Sequence, residues 1–379
     1  MKKSIFLVTR TRWTELPRIR HEICWELAKF YNVFFIEAPV EFHNTNNTQL
    51  TISEIGKNIK RVIVPTLYKI PNAIKRYEVV IGILNNIYAA HQIIQFAKEK
   101  KKHSIVLINF NYDFFSLMSN DVFKGNIYFC NDDFVAQCHS VATKKIVHYL
   151  ECLTVKRADI CLSNHQLMVE RMKAHNKNSH IFLQAHNFNV STYQDISSKK
   201  SRKSARIRAA YMGFIDTRLD HDCLKKLSEQ PDIELHMIGP NNTDRAKRYG
   251  QQTIFHGAKK GNELEALLRT MDVLLMPFNE NSCMRLCSST NKLFKYIAVG
   301  KPVVVTGMPH CISFSQGIVY KVAHCNTMFI DTVRQAYKED CELYQIRRAE
   351  IALENSWEKR IVFMKKIVED FYEKSSDFT

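Results

Sequence analysis

Residues 272–305 read DVLLMPFNENSCMRLCSSTNKLFKYIAVGKPVVV. Asp272–Phe278 is an apolar run of strand length that Pro277 helps to end. Ser288, Ser289, Thr290 and Asn291 are all N-cap residue types, and they precede the helical pattern Leu293, Phe294, Ile297, Ala298. Gly300 stands where a helix C′ residue belongs, Pro302 prevents continuation, and Val303–Val305 supply the next buried strand. The stretch predicts a β-α-β unit whose helix begins at the carboxyl edge of a parallel sheet.

The same alternation extends outward in both directions. Apolar runs at 4–8, 32–39, 59–65, 104–110, 126–130 and 158–163 are interleaved with helical patterns, as are those at 208–214, 233–240, 252–258 and 317–322. Buried strands between helices imply parallel sheets covered on both faces. With 379 residues the chain exceeds one ordinary core, so two domains are expected. The run SSKKSRKSARIR (197–208) has no apolar period and reads as an exposed connector, with a basic nucleic-acid arm as the alternative. The expected division is therefore 1–196, a basic linker at 197–207, 208–355, and a C-terminal helix over 356–379 packing back toward the first domain. The fold class is α/β, two doubly wound Rossmann-like domains facing a cleft, where ligands bind at the carboxyl ends of the strands.

The net charge of +16 favours polyanionic partners: nucleic acid, an anionic membrane face or phosphorylated substrates. Eleven cysteines show no C-x-x-C spacing and several lie inside apolar runs (Cys24, Cys130, Cys161), so reduced thiols in a cytoplasmic protein are expected. MKKSIFLVTR reads as a first strand rather than a signal peptide, and no apolar run reaches the ~18–20 residues needed to span a bilayer. No zinc-type spacing occurs, and Cys283 and Cys287 lack accompanying ligands.

Lys292 is an unusual choice for a first helical turn, where a cation opposes the dipole by roughly 0.3–1 kcal/mol. A charge-assisted hydrogen bond to a phosphate, about 1.5–3 kcal/mol, would reverse that cost. The alternative is a capped helix with a solvent-facing lysine.

STNKLFKYIAVGKPVVVT resembles the S-x-x-K-L-x-E-Y-x-x-x-G-K-P-V-V segment of bacterial GT-B nucleotide-sugar glycosyltransferases of surface-polysaccharide assembly. YMGFIDTRLD, IELHMIGP, TIFHGAKKGNELEALLRTMDVLLMPF and NSWEKR are similar to that family's segments in the same order. NIYFCNDDF and RADICLSNHQL resemble its segments in the first half. The resemblance implies that Lys292, with Ser289, Thr290, Asn291 and the helix N-terminus, holds the diphosphate of a UDP- or GDP-sugar. It also implies that His256-Gly257-Ala258 hold the nucleobase through backbone groups, and that Gly213 permits close approach near the phosphates. Lys295 stands where relatives place a glutamate against the ribose. An ammonium donates where a carboxylate accepts, so donor geometry is expected to differ there. A polar residue at this position also occurs in the xanthan glucuronosyltransferase type, which the chain loosely resembles.

On the acceptor side, Asp132 and Asp133 end the strand NIYFC, where neighbouring carboxylates suit a general base. The resemblance favours Asp132 as that base; the alternative is that both cap the next helix. Trp13, Glu15, Arg18 and His21 follow the first strand, and His186 lies where the chain leaves the first domain; all are candidates for acceptor contact. The expected activity is metal-independent transfer of a sugar to a saccharide acceptor, lipid-linked in one version, in surface-glycan assembly. No cofactor, metal or nucleic acid is expected, and the protein is placed in the cytoplasm, peripheral on the anionic inner face of the membrane. Two other readings stand beside it: a nucleotide-sugar 2-epimerase, and a non-catalytic glycan- or nucleic-acid-binding protein on the same scaffold.

Overall fold

The computed structural model describes residues 2–38, 50–65, 78–100, 102–190, 205–241, 243–279, 287–288, 290, 292–308, 310–314, 317–322 and 327–373. The chain divides into two compact units, Met1–Leu183 with Arg360–Thr379, and Gln184–Lys359. The compositional change at 197–208 lies inside the second unit; its residues up to 204 are outside the described set.

In the first unit, β1 (Lys2–Thr9), β2 (Asn32–Glu37), β3 (Thr51–Gly56), β4 (Ile59–Ile63), β5 (His103–Asn109), β6 (Gly125–Cys130), β7 (Ile160–Ser163) and β8 (Ser179–Ile181) form one sheet. Its order is β3-β4-β2-β1-β5-β6-β7-β8. Pairings are parallel except β3–β4. Helices α1 (Ile19–Leu27), α2 (Glu78–Glu99), α3 (Val141–Arg157) and α4 (Gln166–Lys173) connect the strands. Ile5, Phe6, Leu7 and Val8 of β1 are all fully buried, which is why this strand reads as a continuous apolar run. The β3 strand is absent from the sequence expectation. TISEIG is almost wholly exposed and is held only as an edge, across a turn in which Asn58 takes φ 62°.

In the second unit, β9 (Ile207–Met212), β10 (Ile233–Ile238), β11 (Ile254–Gly257), β12 (Val273–Pro277), β13 (Val303–Thr306) and β14 (Val319–Val322) form an all-parallel sheet. Its order is β11-β10-β9-β12-β13-β14, which makes the unit doubly wound and Rossmann-like. Its helices are α5 (His221–Ser228), α6 (Gly261–Arg269), α7 (Leu293–Ala298), α8 (Thr327–Glu339) and α9 (Glu342–Glu354), with a 3₁₀ turn at Asp244–Arg248. The last helix, α10 (Trp357–Glu373), starts in this unit and runs into the first. There the Phe371 ring lies so close over Gly125 that a Cβ at Gly125 would overlap it, the Tyr372 hydroxyl donates to Ser4 O (2.7 Å), and Glu369 accepts from Lys3 and Tyr31.

The turn after α7 is fixed from beneath. Gly300 takes φ 77°, the left-handed form of a C′ residue, and its carbonyl accepts from Arg348 Nε at 3.0 Å. Arg348 is fully buried on α9 and also donates to Gly317 O and Asp340.

Candidate active site

Successive strands run outward from β9 through β10 to β11, and then from β12 through β13 to β14 on the other side. The order reverses between β9 and β12, so a crevice opens at their carboxyl ends, the usual ligand position in such sheets. The residues there are Met212 at the end of β9, Gly213 after it, and Phe278 after β12.

Lys292 occupies this crevice. It is the N-cap residue of α7 with helical dihedrals, its amide donates to Thr290 Oγ1 (3.2 Å), and its carbonyl accepts from Tyr296 N (2.8 Å). Its half-buried side chain runs back across the switch point, placing Nζ 5.2 Å from the Tyr211 ring centre and 5.1 Å from that of Phe278. Gly213 makes room for it: φ is 136°, and a Cβ would overlap the Lys292 side chain. Gly239 (φ 144°) repeats the device one loop over, with Gly213 O where its Cβ would be. Tyr296, fully buried on α7, accepts the Met212 amide on its hydroxyl (2.7 Å) and so anchors the helix to the end of β9.

No ion pair to Lys292 occurs among the described residues. Burial pushes its ammonium down to about 8, nearby Arg218 adds to this, and Cys287 and Asp216 oppose it. Asp216 is itself engaged. Burial disfavours its charge, but hydrogen bonds from Arg218 (2.6 Å to Nη2) prevail and hold the carboxyl below its ordinary value. The helix α7 that follows Lys292 is short, spanning only Leu293–Ala298. Ser289 and Asn291 lie outside the described residues.

Lys295, one turn on, is half-buried with Nζ 5.5 Å from the Phe188 ring centre. His256, Gly257 and Ala258 stand at the end of β11, two strands away from β9. Gly257 takes φ 65°, and a relay fixes the His256 ring. Glu234 Oε1 accepts from His236 Nε2 (2.7 Å), which leaves His236 Nδ1 to accept from His256 Nε2 (2.9 Å). Burial lowers the His256 pKa, helped by His236 and Lys259.

His186 belongs to the second unit and is buried. Its Nε2 donates to Ala352 O (2.8 Å) and its Nδ1 accepts from Phe188 N (3.2 Å), so both ring nitrogens hold the backbone. Burial lowers its pKa despite these bonds.

In the first unit the strand order reverses between β1 and β5, and the residues beyond the carboxyl ends of β1, β5, β6 and β7 form a polar shelf. Asp132 Oδ2 accepts from Asn131 Nδ2. Asp133 has another job: Oδ1 accepts from Ala136 N (2.9 Å), turning the chain, and Oδ2 pairs with Arg171 at 2.8 Å. Trp13, Glu15, Arg18 and His21 make one local cluster. Glu15 bridges Arg12 N and the Arg18 guanidinium (both 2.9 Å), and the His21 ring spans Arg18 N and Arg12 O. Trp13 is half-buried and packs edge-on to Trp25 and Phe35. Burial lowers the His21 pKa.

Residues absent from the sequence reading complete the shelf: Arg20, Thr11, Asn111, Asp113 and Asn164, all buried. Arg20 Nε, Asn111 Nδ2, Asp113 Oδ1 and Asn164 Oδ1 have no hydrogen-bond partner among the described residues. Among the described residues no group of three or more His, Cys, Asp or Glu could hold a metal ion, and no helix is long and apolar enough to cross a membrane. Cys223 is disulfide-bonded, which corrects the expectation of thiols throughout, and the eight other described cysteines are free.

Residues 219–339 match the family described as Glycosyl transferases group 1. The TuaH protein of Bacillus subtilis, named for teichuronic acid biosynthesis as a glycosyltransferase, is 23% identical over 244 residues; the match covers 56% of this chain and 60% of that protein. Sucrose-phosphate synthase from Thermosynechococcus elongatus superposes with a TM-score of 0.70 at 12% identity, covering 98% of this chain and 100% of that one. HepE of Anabaena in complex with UDP gives 0.65 at 11% identity, with 98% and 100% covered. The E. coli trehalose-6-phosphate structure bound with UDP-2-fluoro glucose gives 0.66 at 10% identity, with 96% and 99% covered. At these identities the likeness is one of fold, and that fold is GT-B: two doubly wound Rossmann-like units.

Proposed function

We propose that the protein is a metal-independent glycosyltransferase that moves a sugar from a UDP- or GDP-sugar to a hydroxyl of a saccharide acceptor. One observation carries the reading: the half-buried Lys292 ammonium, with no carboxylate pairing it among the described residues, lies across the β9/β12 switch point. A cation partly withdrawn from water is stabilised by an accompanying anion, and a diphosphate is the anion that such crevices accept. The match to a glycosyltransferase family over this unit, and fold relatives solved with UDP and a UDP-sugar, support the same ligand class.

As the sugar–phosphate bond breaks, negative charge grows on the departing diphosphate, and Lys292 neutralises it. The acceptor oxygen forms the new bond to the sugar carbon while Asp132 takes its proton as general base. The unpaired buried donors and acceptors of the first unit's shelf suit a hydroxyl-rich acceptor. With a net charge of +16, and a relative named for teichuronic acid biosynthesis, we extend the reading to a lipid-linked acceptor in surface-glycan assembly at the inner face of the membrane.

A thermal-shift screen against UDP, GDP, CDP and ADP tests the donor side. One of them should stabilise the protein, by about 2.7 kcal/mol at a hundredfold excess over Kd, and Lys292→Ala should abolish the shift. If none stabilises the chain at millimolar concentration, the reading fails.

A further inference from the structure

Arg20, the second residue of α1, is 8% exposed, yet the hydrogen-bond acceptors it meets are neutral. Nη1 donates to Thr11 Oγ1, Nη2 donates to Asn131 Oδ1 at 2.6 Å, and the guanidinium carbon lies 5.5 Å from the Phe110 ring centre. The charge that most favours its ionised form is Asp132, which receives a hydrogen bond from the other end of the same carboxamide, Asn131 Nδ2. Asn131 is thus gripped at both ends, its oxygen by a cation and its amino group by a carboxylate. The two bonds fix the carboxamide in one orientation, since an arginine can only donate. The backbone beneath is also held, with Asn131 O accepting from His165 Nε2 at 3.2 Å.

We infer that Arg20 is a positioning residue for Asp132, aiming the carboxylate and keeping it ionised through the Arg20–Asn131–Asp132 chain. The inference rests on the reading of Asp132 as the base. A merely structural arginine would tie α1 to β6 and do no more. A charge relayed through a polarised amide instead makes Asn131 a stronger donor and disfavours protonation of Asp132. Several ionisable groups nearby have partners of their own. Asp133 is paired with Arg171, and Glu151 of α3 is held by Tyr128 and the Cys130 thiol, its carboxyl raised by burial. His165 is turned onto Asn131 O, and Glu15 is paired with Arg18.

The test uses the full chain with the nucleotide-sugar whose diphosphate stabilises it. It compares wild type, Arg20→Met, Arg20→Lys, Asn131→Ala and Asp132→Asn. In Arg20→Met the acid limb of kcat/KM should move up by about one pH unit, with kcat at pH 7 falling about tenfold and nucleoside-diphosphate affinity unchanged. Arg20→Lys should keep the limb in place. Asn131→Ala should lower kcat with a smaller displacement of the limb. A folded Arg20→Met with wild-type limb and kcat overturns the inference. If Arg20→Met does not fold, the contrast between Arg20→Lys and Asn131→Ala decides, and equal profiles for those two overturn it. Carboxyl ¹³C titration of Asp132 gives a readout free of activity. An unchanged titration in the arginine variant refutes the coupling even if Asp132→Asn is inactive, whereas full activity of Asp132→Asn alone removes the base.

Discussion

The lysine at the β9/β12 switch point makes a quantitative statement about pH. Burial lowers its ammonium to about 8, so the free protein loses this charge across the range from pH 7 to 9. Burial raises the Tyr211 hydroxyl above its ordinary value, and a terminal phosphate, with a second pKa of about 6, is already ionised by pH 7. A bound diphosphate favours the charged lysine, so binding takes up a proton above pH 8. The protonated fraction of the free site falls from about nine-tenths at pH 7 to about one-tenth at pH 9, which weakens Kd roughly tenfold, ~1.4 kcal/mol. Isothermal calorimetry in buffers of different ionisation enthalpy should find uptake of about half a proton at pH 8. Lys292→Met should bind more weakly at pH 7 and show no slope between pH 7 and 9. A wild-type Kd that changes less than twofold over that range, or a slope that survives in the methionine variant, refutes the reasoning.

Other outcomes follow from the same packing. Gly213→Ala adds a Cβ at φ 136° against the Lys292 side chain, so it should cost ~1–3 kcal/mol in urea unfolding and remove the nucleoside-diphosphate shift. His186→Leu orphans Ala352 O and Phe188 N and should cost about 2–4 kcal/mol. Because burial depresses the folded His186 pKa, stability from keeping it neutral is present above the unfolded value of about 6.5 and lost as pH falls below it. The leucine variant should lack that acid-side loss in a melting series from pH 7 to 5. Arg348→Ala should cost about 3–5 kcal/mol, since it abandons Asp340 and the carbonyls of Gly300 and Gly317. Denaturant titration of that variant would show it.

Some of this was legible in the chain and some was not, for identifiable reasons. The β-α-β unit at 272–305 was readable because strand, cap, helix and C′ glycine each have a local chemical signature, and Gly300 takes the left-handed form such a residue needs. Lys292 stood out as a cation where a helix start disfavours one. Its partners Tyr211, Phe278 and Tyr296 did not, because aromatic residues in apolar runs read simply as core. Arg20 is one of four arginines between positions 10 and 20, and only the fold selects which of them is buried beside Asn131. The β3 strand carries no buried face to leave a period. Composition put the most polar stretch at 197–208, but the units divide at 183/184. There, backbone bonds tie His186 to Asn355 and Trp357, pairings far apart in sequence.

The α10 helix also sets an order of events. The second unit, Gln184–Lys359, is one unbroken segment, whereas the first needs residues from 360 onward to finish its sheet face. On the ribosome, residues 1–183 emerge first yet must wait for Glu369, Phe371 and Tyr372, made after the whole of the second unit, to cover Gly125 and meet Lys3, Ser4 and Tyr31. The later-made unit can therefore close before the earlier one, reversing the usual N-terminal-first sequence. A chain cut at 183 would leave Gly125, Lys3, Ser4 and Tyr31 without these contacts, and the first unit is better isolated by joining residues 360–379 to it than by truncation.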